Sequence, residues 1–137
     1  MKHILTALLL LSSTSVFASS GSNTTTGTNE CADLAGEYTC SYRGQNIDLN
    51  IVLNPEFNSI TLNIGGEGGE FVVDGVKHDS STDDTTYIAK CSNNEMSIGN
   101  YFAGELRGTI SVIATETGVD YKLVKSSSPI VLSCPRK

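Results

Sequence analysis

The chain has 137 residues, 39% of them apolar, and a formal charge of −6; this is enough for one domain with a single modest core. Nine Lys and Arg scattered among fifteen Asp and Glu leave no basic stripe for phosphates, which excludes nucleic acid as an expected partner. The four cysteines are never nearer than nine positions, so metal-ligand spacing is missing and no metal or other cofactor is expected.

Met1-Lys-His-Ile-Leu-Thr-Ala-Leu-Leu-Leu-Leu has a cationic head and an apolar run too short to span a bilayer, followed by Val16-Phe17-Ala18. These are the marks of a secretory signal peptide, residues 1–18, cleaved after Ala18. No cysteine follows the apolar run directly, so no lipid or membrane anchor is expected, and the mature chain reads as a periplasmic or secreted monomer. Residues 19–30 (SSGSNTTTGTNE) have no apolar anchor to offset the entropy of ordering and read as a flexible linker. The domain proper is residues 31–137. The signal carries one Lys and no acid, so its removal takes the formal charge from −6 to −7.

Cys31-Ala-Asp-Leu-Ala-Gly36 leads into a first strand in which Tyr38, Cys40 and Tyr42 fall on one face and Glu37, Thr39 and Ser41 on the other, the alternation of a half-buried strand. Arg43-Gly-Gln-Asn46 turns the chain, and Ile47, Leu49, Ile51 and Leu53 form the next inward row, stopped by Pro55. Ile60, Leu62 and Ile64 repeat the pattern until Gly65-Gly-Glu-Gly-Gly69 breaks it as a flexible hairpin loop. Phe71 and Val73 lead to Asp74-Gly75, read as a type I′ hairpin turn because both positions tolerate positive φ, with Val76 to His78 as the returning strand. Asp79 to Asp84 is a polar loop. Tyr87, Ala89 and Cys91, then Met96 and Ile98, are inward rows separated by a turn at Ser92 to Glu95, and Asn100 to Gly104 is a loop. Leu106, Gly108, Ile110, Val112 and Ala114 face inward, with Gly108 as a bend. Glu116 to Gly118 turns into Val119, Tyr121 and Leu123, and Ser126 to Pro129 leads to Ile130, Leu132 and Cys134.

Eight to ten short strands, short turns and no crossover-length connection predict an all-β fold, an antiparallel up-and-down β-barrel. A β-sandwich would need a long Greek-key connection. An even number of cysteines in an oxidising compartment reads as two disulfides. In a closed meander the first and last strands are neighbours, so Cys134 pairs with Cys40 or Cys31 and Cys91 takes the other; the reading favours Cys40 with Cys134 and Cys31 with Cys91. A crosslink closing nearly the whole domain contributes roughly 4 to 5 kcal/mol in the chain-entropy model.

Leu34-Ala-Gly36-Glu-Tyr38 resembles the Gly-x-aromatic start of lipocalin-like (calycin) barrels, with Tyr where the lipocalin pattern prefers Trp. Tyr38-Thr-Cys40, a terminal Cys134 and an export signal also resemble the small periplasmic barrels that inhibit c-type lysozymes. The Ser-Gly-x-x-Tyr-like loop of that family is missing here, so no inhibitory residue is carried over and the resemblance implies the barrel alone.

No residue pattern supports catalysis. His78 is the one histidine left after signal cleavage and would have to serve any Ser or Cys nucleophile as base, while the cysteines are accounted for as crosslinks. Asp74, Asp79, Asp83 and Asp84 around His78 do not have the spacing of an EF-hand loop and read as a solvated acidic loop. Gly65 to Gly69 lacks the Lys-Ser/Thr continuation of a phosphate loop. Tyr38, Tyr42, Tyr87 and Tyr121 all fall on inward faces, where they either fill the barrel or line one open end as ligand-binding residues. The expected function is a non-enzymatic barrel that binds a small apolar or amphipathic ligand. The alternative is an acidic barrel whose polar loops inhibit a basic secreted protein, a hydrolase such as a lysozyme.

Overall fold

The computed structural model describes residues 27–80, 83–125 and 128–137. The signal peptide 1–18 and the linker as far as residue 26 lie outside the described residues. Thr28–Leu34 forms a 3-10 turn, so the domain takes in three residues that the sequence reading assigns to the linker.

Among the described residues ten antiparallel strands follow: β1 (Gly36–Tyr42), β2 (Gln45–Asn54), β3 (Ser59–Ile64), β4 (Glu67–Val72), β5 (Asp74–Asp79), β6 (Thr85–Ser92), β7 (Glu95–Phe102), β8 (Glu105–Ala114), β9 (Gly118–Lys125) and β10 (Ser128–Pro135). Strands β1 to β4 make one ladder in chain order and β5 to β10 the other. The two close into a β-barrel where β1 returns beside β10, through a bridge between Tyr38 and Arg136 and the Cys40–Cys134 disulfide. Among the described residues no ladder joins β4 to β5, and a single buried residue, Val73, connects them.

Hairpin geometry explains the meander. Arg43-Gly44, Gly65-Gly66, Asn93-Asn94 and Ala103-Gly104 all have positive φ at both positions. Each sits between directly paired residues three positions apart, such as Tyr42 with Gln45 and Ile64 with Glu67. This is the two-residue turn whose twist matches that of paired strands. The broken stretches Gly65 to Gly69 and Asn100 to Gly104 are therefore mostly strand, with only two residues of each in the turn.

Asp74-Gly75 corrects the sequence reading. No hairpin forms there; Asp74 lies opposite Lys90 and Lys77 opposite Ile88, so β5 carries one residue more than β6. Gly75 does have positive φ, 76°, but in a bulge. A bulge and a type I′ turn ask for the same residue, and the dipeptide alone cannot separate them. A second bulge lies in β8, where Asn100 faces Gly108 and Tyr101 faces Leu106, leaving Arg107 unpaired beside the glycine expected to mark a bend.

The 3-10 turn plugs one end of the barrel. Cys31 and Leu34 are fully buried there, Cys31 is bonded to Cys91, and the β6–β7 turn clasps the plug. Asn94 N–H donates to the Glu30 carbonyl at 2.6 Å, Asp33 N–H to Asn94 Oδ1 at 3.0 Å and Asn94 Nδ2 back to the Asp33 carboxylate at 3.0 Å.

Candidate functional site

Inward side chains are packed unequally along the barrel. Next to the plug, the row Cys91, Met96, Val112, Tyr121 and Leu132, set side by side by the ladder registers, is buried throughout. One row further from the plug, Ala89 and Ile98 remain fully covered, but Ile110, Leu123 and Ile130 are reached by solvent. Across the barrel Tyr42, Ile47, Ile64 and Phe71 are likewise inward and only half-buried. A dry row thus gives way to a ring of apolar side chains that water touches, at the end bounded by the turns at Arg43-Gly44, Gly65-Gly66 and Ala103-Gly104.

Gly69 deepens that end. It lies directly opposite Leu62 and so shares the inner face with it, and a Cβ built there meets no atom within 4 Å. The inner wall therefore lacks a side chain at this point, beside Ile64 and Phe71, and is open around the missing Cβ. Alternation back from Phe71 places Gly69 inward, a signal present in the sequence and hidden by the reading of the whole glycine run as loop.

The four tyrosines proposed from sequence are spread along the barrel rather than gathered at its mouth. Tyr38 is wholly buried at the plugged end, where its hydroxyl donates to the Leu34 carbonyl at 2.6 Å and the Arg136 guanidinium lies 4.9 Å from its ring centroid. Burial raises its pKa, the nearby Arg136 opposing the rise and Asp33 adding to it. Tyr121 belongs to the dry row next to the plug, and burial pushes its pKa up as well. Tyr87 stands midway, with its ring edge-on to Phe71 at 5.1 Å between centroids and its hydroxyl accepting the Val72 N–H at 2.9 Å. Tyr42 alone stands at the open end, half-buried, with Arg43 over its ring at 5.1 Å.

The acidic loop residues divide. His78 stacks on Tyr87, 5.5 Å between centroids, and its Nε2 meets both carboxylate oxygens of Asp74 at 2.9 and 3.0 Å. Burial would raise the Asp74 pKa, but the N–H of Val76 and the His78 ring together outweigh it and hold the carboxyl below its ordinary 3.8. Asp79, Asp83 and Asp84 stay at the surface with Ala103 and Gly104, and among the described residues no three His, Cys, Asp or Glu side chains come together as a metal-binding group. On the rim, the unpaired Arg107 turns its guanidinium over Phe102, 5.8 Å from the ring centroid, as expected of a bulge that re-aims a side chain at a barrel mouth.

No protein-family model and no curated protein matches the chain. Solved structures do. Crystal structures of two point variants of the fluorescent protein UnaG align with it at TM-scores of 0.57 and 0.56, with 12% and 10% identity. The alignments cover 77% and 74% of this chain and 97% and 94% of theirs. The fold is calycin-like. At such identity the likeness is one of architecture, so nearly the whole of a known barrel is matched by a chain whose interior residues have to be read on their own. In this calycin-like barrel they give a plugged end, a dry middle and a wet apolar mouth.

Proposed function

We propose that the protein is an exported, non-catalytic barrel that takes a small apolar or amphipathic molecule into its open end. The observation that carries this reading is the half-covered apolar ring with a hollow at Gly69, because a ligand site is concave, mostly apolar and formed in advance. Burying such a ring against a ligand is worth about 25 cal/mol per Å² of apolar surface removed from water, whereas leaving it wet gains nothing. The leader and the two disulfides support export, since such bonds persist in oxidising compartments. The one histidine of the domain is engaged with Asp74 rather than with a nucleophile, which fits a binding role. The turns at Arg43-Gly44, Gly65-Gly66 and Ala103-Gly104 are too short to enter a cleft, so the alternative, inhibition of a basic hydrolase, would rest on the longer connection between β5 and β6 at that end.

Titration with an environment-sensitive apolar fluorophore, at low and high salt, tests the proposal. Saturable binding that salt leaves unchanged is expected, because apolar burial is not screened. The proposal fails if the fluorophore does not saturate, or if its signal follows ionic strength.

A further inference from the structure

We infer that the open edge of β4 accepts an extended basic segment of a partner protein as an added strand. Strands β4 and β5 share no ladder, and a cleft of about 380 Å³ between them is lined by Gly68, Gly69, Glu70, Phe71, Asp79 and Tyr87 among others. One edge of β4 pairs with β3, and among the described residues no strand is hydrogen-bonded to the other.

Strand alternation tells which backbone groups that free edge presents. The Val72 N–H points away from β3, since it donates to Tyr87. Two residues on, the N–H and carbonyl of Glu70 face the same way, and those of Gly68 after them. Glycines at 68 and 69 leave this stretch of backbone uncovered. An exposed row of donors and acceptors of this kind is the template used in recognition by strand addition.

Charge selects the occupant. Glu70 and Asp79 line the cleft. The ion pairs among the described residues are His78 with Asp74, Arg107 with Glu105 and Lys137 with Asp48, so neither of these two carboxylates is neutralised by a cation of the chain. Glu70 accepts the Ser59 hydroxyl and the Asn54 side-chain amide, both neutral donors that leave its charge in place, and it stays exposed. A second copy of this chain would set Glu67 and Glu70 against their like, which works against edge-to-edge pairing. A basic strand meets opposite charge instead. Glu70 lies on the outer face and Gly69 and Phe71 on the inner, so the fitting segment alternates cationic residues outward with small apolar residues inward.

Fluorescence anisotropy with a labelled Lys-Val-Lys-Val-Lys peptide, and a Glu-Val-Glu-Val-Glu control, tests this alongside amide exchange. Expected are saturable binding of the basic peptide that weakens with salt, slower exchange at the Gly68 and Glu70 amides when it is bound, and roughly tenfold weaker binding by Glu70→Pro, which removes a donor that the β3 ladder does not use. If Glu70→Pro fails to fold, the Glu70→Gln, Asp79→Asn double variant decides by the same loss. Equal binding of both peptides, no binding, or binding that neither variant weakens would overturn the inference. So would amide protection that rises with protein concentration alone, which would assign the edge to a second copy, or displacement of the peptide by the apolar fluorophore, which would assign the cleft to the mouth.

Discussion

The hydroxyl of Tyr87 accepts the backbone N–H of Val72 at 2.9 Å, so a side chain rooted in the six-stranded sheet ends on the free edge of the four-stranded one. At the opposite junction the chain is held covalently, by Cys40 and Cys134, 94 residues apart in sequence. One side of the barrel is therefore crosslinked and the other is spanned at Val72 by an aromatic side chain and its hydrogen bond.

Replacing Tyr87 by Phe keeps the edge-on contact with Phe71 and removes the acceptor. The Val72 N–H is half-buried, so the expected loss is about 1 kcal/mol, the low end of the penalty for an unpaired donor. Denaturant unfolding should show a lower midpoint at unchanged slope, with faster exchange of the Val72 amide. An unchanged midpoint would mean that water replaces the phenol at no cost.

Much of the barrel is legible in the alternation of single residues. Ile47, Leu49, Ile51 and Leu53 declare a one-sided strand, and Cys40 and Cys134 belong to the first and last such strands, which a closed meander makes neighbours. What periodicity of two cannot show is how far an inward position is covered. Ile98 and Ile110 face each other across a ladder and read alike in sequence, yet Ile98 is fully buried and Ile110 is not. Coverage depends on what lies across the barrel, which alternation along one strand does not encode. The four tyrosines share an inward face for the same reason that they do not share a site: facing inward says nothing about which end.

Gly75 offers a test of the bulge in β5. At φ 76° a β-branched residue is strained, so Gly75→Val should destabilise the protein by roughly 1 kcal/mol or more. Because the bulge lies between Asp74 and Lys77, the damage should be local. Amide exchange should quicken in β5 and leave β1 and β2 untouched, whereas uniform quickening would place the residue in a turn on which the whole fold depends.

Asp74 makes stability depend on pH in a defined direction. Its folded pKa lies below the ordinary 3.8, so its ionised form is bound more favourably in the native state than in the unfolded chain. That contribution is complete above the ordinary value and is lost as pH falls through the lowered one. Asp74→Asn should therefore melt at a lower temperature than the parent at neutral pH, and the gap should narrow as the solution is acidified below about pH 4. Melting curves from pH 7 to pH 2.5 measure it; parallel curves would show that Asp74 gains nothing from Val76 and His78.

Gly69 separates ligand binding from folding. Its backbone is not in the left-handed region and its Cβ direction is open, so Gly69→Leu meets neither backbone strain nor a clash at its Cβ. Removing a strand glycine also lowers the entropy of the unfolded chain, which contributes roughly 0.4 to 1 kcal/mol in favour of folding. The leucine would occupy the hollow beside Leu62, Ile64 and Phe71 and cover part of the wet ring. The variant should thus be at least as stable as the parent while binding the apolar fluorophore roughly tenfold or more weakly, the effect of losing about 1.4 kcal/mol of apolar burial. Isothermal titration alongside thermal melting checks both halves. A stable Gly69→Leu protein that binds as tightly as the parent would move the ligand site away from the mouth, and one that unfolds would show that the hollow is smaller than its geometry indicates.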